Sequence, residues 1–174
     1  ALPIFSGRIA GVDVQNFYIP AGGDVPDRDA NAKFAHKLDF VAEATAWNAA
    51  RGPAKRSVLV GDLNIAPLEH DVWSHKQMLK IVSHTPVEVD HLLSAQDAGK
   101  WVDVTRQDIP SGLLYSWWSY RAKDWHTADK GRRLDHIWAS ADIANAAHAS
   151  RILRPCRGWD QPSDHVPVLA SFDL

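Results

Sequence analysis

Two polar residues one apart, Asp62 and Asn64, close an apolar run that reads Ser57, Val58, Leu59, Val60, Gly61, Asp62, Leu63, Asn64. The run is flanked by breakers and is too short for a helix, so it predicts a buried strand. Strand side chains alternate with a period of two, which puts Asp62 and Asn64 on one side at the carboxyl end. Ligands of open α/β sheets bind at that end, so a carboxylate and an amide presented there fit a hydrolytic or metal site. The competing reading is an Asx-type turn in which both side chains bond their own backbone. Three further segments bring comparable groups to strand ends: Asn16 with Tyr18, Asp135, and Asp164 with His165. Turn chemistry alone does not explain such a set arriving at one rim.

The elements that must position these groups follow from the pattern. Val12 to Ile19 (VDVQNFYI) is a strand ended by Pro20 and a Gly-, Pro- and Asp-rich loop. Phe34, Leu38, Val41 and Thr45 set a helical spacing within Asn31 to Arg51, with Asp29 or Asn31 as cap and Gly52-Pro53 as stop. A short helix is expected around Asp71 to Leu79. Thr85-Pro86-Val87-Glu88 is a capping box that opens a helix running to Gly99. His70, His75, His84 and His91 lack an HExxH-type pairing and read as surface residues. Tyr115 to Tyr120 (YSWWSY) reads as a strand, in which the adjacent Trp117 and Trp118 must point to opposite faces. Leu134 to Ala139 is a strand that carries Asp135 inward if His136 points out, and an inward carboxylate needs a partner. Ile152 to Leu153 and Val166 to Phe172 are the last strands.

At 174 residues, 45% apolar and 23% charged, the chain reads as one α/β domain without repeats or linkers. No apolar run approaches a membrane span, and Ala1 to Gly7 lacks a basic n-region and an h-region, so neither membrane insertion nor secretion is expected. The single cysteine, Cys156, can form no internal disulfide and no Cys-based zinc motif, which fits a cytoplasmic setting. Net charge is −2, against a generic nucleic-acid binder, yet residues 101–157 carry nine basic and six acidic side chains. There, a partly exposed tryptophan beside Arg121, Lys123, Arg132 and Arg133 is what a stacking or wedging surface needs.

In order, NFYIP, GDLNIAP, SWWSYR, GRRLDHIWAS and PSDHVPV resemble the exodeoxyribonuclease III and AP endonuclease branch of the endonuclease/exonuclease/phosphatase superfamily, over essentially the whole chain. The resemblance implies a four-layered α/β sandwich, two mixed β-sheets face to face with helices outside, and a site at one end. It implies that Asp62 positions or deprotonates the attacking water and that Asn64 holds phosphate or metal. It also implies that Asp164 lies at a divalent metal, that His165 contacts the phosphate and the metal site, that Asp135 orients His165, and that Tyr18 contacts the phosphate or leaving group. Trp117, Trp118, Arg121, Arg132 and Arg133 are the expected DNA contacts. Hydrolysis of a phosphodiester needs a base for water and groups that meet charge developing on the phosphate oxygens, and Mg²⁺, with Mn²⁺ as a substitute, suits oxygen ligands. The implied substrate is double-stranded DNA with abasic sites or 3′ ends, without a membrane partner.

The chain departs from the branch in three places. Members start earlier, with a strand-end asparagine and a metal-ligating glutamate in a QE-type motif, so the sandwich is expected to be incomplete at its N-terminus and to pair with the missing segment or a second copy. Asp13, Asp24 and Glu69 sit in no matching motif. Asp129 stands where the branch has asparagine, so it either points away from the phosphate or alters metal binding; Ser119 occupies a position that varies. A non-catalytic DNA-binding fragment and a phosphoesterase for lipid or inositol phosphates are the alternative readings.

Overall fold

Asn31 accepts a hydrogen bond from the Lys33 N–H and so caps α1, Ala32–Arg51, in the computed structural model, which describes residues 5–174. The reading of Ala1 to Gly7 falls in part outside the described residues. Phe34, Lys37, Leu38, Val41, Ala44 and Asn48 form the buried stripe of α1. Gly52, at φ 73°, ends the helix as expected, its N–H donating to Asn48 and Ala49 carbonyls. The capping box opens α3, Pro86–Ala98, and α3 packs along α1. Between them the expected single short helix is a 3₁₀ turn, Glu69–Asp71, followed by α2, His75–Met78.

Five strands form a mixed sheet in the order β1-β2-β3-β5-β4: β1 Phe5–Ile9, β2 Val12–Asn16, β3 Ser57–Asp62, β4 Trp101–Asp103 and β5 Asp135–Ser140. β2 and β3 run parallel through the α1 crossover, whereas β5 is antiparallel to β3. Helices α1 and α3 cover one face, where Phe17, Ile19, Val41, Leu59, Leu63, Ile65, Leu92 and Trp138 form the main cluster. The other face, with Val12, Val58, Val104, Ile137 and Ala139, meets a second sheet of β6 Ala147–Ile152 and β7 Val168–Phe172. Val60, Val168, Ala170 and Phe172 in that interface are only partly buried. Short helices α4 Val104–Asp108, α5 Trp125–Ala128 and α6 Ala141–Ala144 complete the chain with a 3₁₀ turn at Arg154–Gly158.

The α/β class is as expected. The second sheet, expected to be mixed, is an antiparallel pair among the described residues. Tyr115 to Tyr120 is not a strand: Trp117 makes only isolated bridges to Arg132 and His165, because the segment is wedged between two others instead of joining a ladder. His136 does not point to solvent. Both faces of β5 are covered, and its ring is 1% exposed with Nε2 2.9 Å from the Ile65 carbonyl. Among the described residues no helix is long and apolar enough to cross a membrane.

Candidate active site

The register of the sheet assembles the centre. β3 ends with Asp62 directly opposite Asp135, the first residue of the antiparallel β5, so two carboxylates face each other on adjacent strands. Gly61 makes this end possible: it sits at φ +136°, and a Cβ there would fall 1.9 Å from the Phe17 carbonyl oxygen of the neighbouring chain segment. Ile19 N–H then donates to the Asp62 carbonyl, which carries the Tyr18 segment to the same rim.

The wedged segment brings the third partner. Trp118 N–H donates to the Asp164 carbonyl and Val166 N–H to the Ser116 carbonyl, while Trp117 and Arg132 exchange backbone bonds. Ser116, fully buried, accepts from the N–H groups of both Leu134 and Asp135 at 3.0 Å. His165 is thereby set against Asp135, with Nδ1 2.8 Å from Asp135 Oδ2 and Nε2 3.8 Å from Asp62 Oδ2. Asp62, Asp135 and His165 each offer one ligand atom, all within 4.8 Å of one another.

Asn64 is not on the strand. It takes a left-handed conformation, φ 52°, just beyond it. Its N–H donates to Asp62 Oδ1, so the Asx contact expected as the alternative is present as well. Its side-chain amide donates to Asp62 Oδ2 at 2.8 Å and to the Ile19 carbonyl at 2.9 Å. Asp164 Oδ2 accepts from the Trp117 indole at 2.9 Å. Tyr18, half exposed, lines the same cleft of about 780 Å³ together with Asp62, Asn64, Asp164 and His165.

Charge in this cluster is polarised. Burial and then the facing Asp135 push the Asp62 carboxyl up to about 6, against the lowering pull of His165, the Asn64 N–H and Lys37. Burial works against a charged His165, but the hydrogen bond and charge of Asp135, with Asp62 and Asp164, outweigh it and raise its pKa. The imidazole is therefore favoured in its charged form between two carboxylates, one of which holds the ring.

The expected DNA contacts divide. Trp117 is partly exposed, with the Arg132 guanidinium 4.8 Å from its ring centroid, and both line the cleft with the exposed Arg121. Trp118 and Arg133 do not. Trp118 is 1% exposed, packed with Tyr115, Trp125 and Cys156, because it takes the core side of the Trp117-Trp118 pair. Arg133 is also 1% exposed and is bound by Asp71 and Asp103; Asp71 also pairs with Arg106. That network joins β4, α4, the 3₁₀ turn and the segment leading into β5, so Arg133 is structural. His84, expected at the surface, is buried with Nδ1 2.6 Å from the Ala66 carbonyl. Asp129 turns away from the centre: its carboxylate accepts from the Trp118 indole and from Arg154.

Sequence reasoning passed over Ser116 and Lys37, and a second cation–π pair in the cleft, Lys130 over Trp73 at 4.6 Å. Asp24, set aside on motif grounds, also lines the cleft. A signal for Lys37 was present, since position 37 falls on the apolar stripe of α1 between Phe34 and Val41.

Residues 5–165 match the family described as Endonuclease/Exonuclease/phosphatase. Exodeoxyribonuclease III of Haemophilus influenzae is 28% identical over 166 residues, which cover 91% of this chain and 61% of that protein. Among solved structures, an AP endonuclease from Archaeoglobus fulgidus superposes with a TM-score of 0.88 at 28% identity, covering 97% of this chain and 64% of that one. The 3′ phosphatase NExo from Neisseria, bound to a product DNA hairpin, superposes with a TM-score of 0.86 at 31% identity, with the same coverage. The chain thus spans about three fifths of the length of the relatives it matches.

Proposed function

This chain belongs to the endonuclease/exonuclease/phosphatase family, and from that premise we propose that it carries the catalytic end of a divalent-metal-dependent phosphodiesterase acting on DNA. The observation that carries the reading is the opposed pair Asp62 and Asp135 with His165 hydrogen-bonded to the second of them.

Asp62, at the rim of the cleft opposite Asp135 and held on both oxygens by Asn64, is placed to accept a proton from the attacking water. His165 is fixed through Nδ1, which leaves Nε2–H to meet a phosphate oxygen as negative charge develops there. Asp135 keeps that ring oriented and charged. Tyr18, exposed on the cleft wall, contacts the phosphate or the leaving oxygen.

The donor set fits a hard cation. Asp62 and Asp164 offer carboxylate oxygens, and Asn64, with both amide hydrogens spent on Asp62 and Ile19, has only its Oδ1 left for a ligand. These three residues, bordered by His165, would hold Mg²⁺, or Mn²⁺ in its place. Such an ion, when bound, supplies Lewis-acid stabilisation of the phosphate and a more acidic water.

Duplex DNA is the substrate we infer, engaged by Arg121, Arg132 stacked on Trp117, and Lys130 stacked on Trp73. The relatives named exodeoxyribonuclease III, AP endonuclease and 3′ phosphatase support cleavage beside abasic sites and trimming of 3′ ends as the activities, and base-excision repair is the role we infer from them. The test is a duplex bearing one abasic analogue and a 3′-phosphate end, incubated with Mg²⁺ and the chain extended to the length of its relatives. Absence of any metal-dependent strand cleavage or phosphate release sinks the reading.

A further inference from the structure

We propose that Lys37 is a positioning residue of this site, its buried ammonium fixing the peptide of Asn64 and, through Asn64, the carboxylate of Asp62. The inference rests on the reading of Asp62 as the group that activates water.

Lys37 is 0% exposed, on the buried stripe of α1 between Phe34 and Leu38. Its ammonium donates to the Asn64 carbonyl at 2.8 Å and to the Ala21 carbonyl at 3.3 Å, and pairs with Glu88, itself 0% exposed. Three acceptors match the three N–H bonds of an ammonium. Glu88 in turn accepts from the N–H groups of Ser83 and Thr85 and from the Thr85 hydroxyl. One cation therefore ties together the loop after Tyr18, the loop that follows Asp62, and the start of α3.

Two features show that the chain is built around this side chain. Gly22, at φ +89°, has no room for a Cβ, which would lie 2.8 Å from Lys37 Cδ. Asn64 sits in the left-handed region, which asparagine tolerates best among non-glycine residues. The Lys37 bond to its carbonyl and the side-chain bond to Ile19 hold it there, and from that position its N–H and amide grip both oxygens of Asp62.

The test separates this role from simple bracing. Replacing a buried ion pair as a unit leaves no lone buried charge, so the double variant Lys37→Met/Glu88→Gln is expected to fold. Its kcat on nicked or abasic duplex should fall about 100-fold, the scale of a small displacement of a reacting group, with KM within about threefold. Glu88→Gln alone leaves the Lys37 bond to Asn64 in place but strips the buried ammonium of its counter-ion, so it should lose stability and, while folded, keep kcat within about threefold. A folded double variant with unchanged kcat, or equal losses in both variants, overturns the proposal.

A readout independent of turnover distinguishes its failure from failure of the nuclease reading. In the double variant the Asn64 amide resonance should shift and its hydrogen exchange accelerate, whereas an unaltered Asn64 amide overturns the proposal even if no substrate is cut. Should the double variant not fold, the unmodified chain decides: a through-hydrogen-bond coupling between Lys37 ¹⁵Nζ and the Asn64 carbonyl carbon is expected, and its absence overturns the proposal.

Discussion

His165 Nδ1 stands 2.8 Å from Asp135 Oδ2, and the strand register sets that same aspartate opposite Asp62. Asp135 thus serves the imidazole on one side while lifting the proton affinity of Asp62 on the other. Asp135→Asn keeps the shape but removes the charge that favours imidazolium. We expect kcat to fall by about 10² or more with KM for duplex DNA little changed, measured by steady-state cleavage of a labelled oligonucleotide. A loss confined to KM contradicts the assigned role.

Asp62→Asn removes the proton acceptor but leaves the cationic surface of the cleft intact. Strand cleavage should drop by about 10² to 10⁴. Duplex affinity, measured by fluorescence anisotropy at fixed salt, should stay near that of the parent chain.

Arg132 and Arg133 are adjacent in sequence and should behave as opposites. Arg133→Ala leaves Asp71 with Arg106 alone and takes from Asp103 its Arg133 partner, so unfolding free energy should fall by about 3–5 kcal/mol in urea titrations. Arg132→Ala should cost far less stability and reduce the slope of log affinity against log salt by about 0.9, one phosphate contact. Equal effects of the two on the salt slope exclude this division.

Metal binding should be visible in tryptophan emission. Asp164 Oδ2 accepts from the Trp117 indole N–H, so a cation drawing on that carboxylate competes with the bond. Adding Mg²⁺ should shift emission and chelation should reverse it, with loss of cleavage in parallel. The response should vanish in Trp117→Phe.

Burial lowers the pKa of both His136, to about 4, and His84, so stability should weaken in mild acid and His84 should carry part of that loss. Burial, with the charge of His75, holds the His84 pKa below the ordinary 6.5, and the raising pull of the Ala66 carbonyl, Asp71 and Glu88 does not reverse that. Its Nδ1–H meets the Ala66 carbonyl, which leaves Nε2 to accept from His75 at 2.8 Å and disfavours a second proton. The unfolded chain therefore binds a proton first as pH falls. The contribution is complete above about pH 6.5 and is lost below it. In His84→Gln the decline in melting temperature just below pH 6.5 should flatten; an identical pH dependence rules His84 out as a source.

Periodicity located α1, α3 and the core strands because each buries one continuous stripe or face, and the capping box fixed the start of α3. Asp62, Asp135, Asp164 and His165 were legible since polar residues at the ends of apolar runs have few structural reasons to be there. What sequence could not carry was depth. Arg132 and Arg133, or Trp117 and Trp118, differ only in which neighbour faces the interior, and long-range contacts such as Arg133 with Asp71 decide that. The aromatic propensity of Tyr115 to Tyr120 likewise suggested a strand, where tertiary wedging prevails over local preference.

Because the Phe17 carbonyl occupies the space a side chain at residue 61 would need, β2 and β3 cannot slide or separate at this end without breaking their contact. The tyrosine wall and the carboxylate floor of the cleft are consequently one mechanical part. Directed evolution of this scaffold toward bulkier phosphoesters would have to come from the Trp117 and Trp73 side, where the lining belongs to loops, and position 61 should remain glycine in every active descendant.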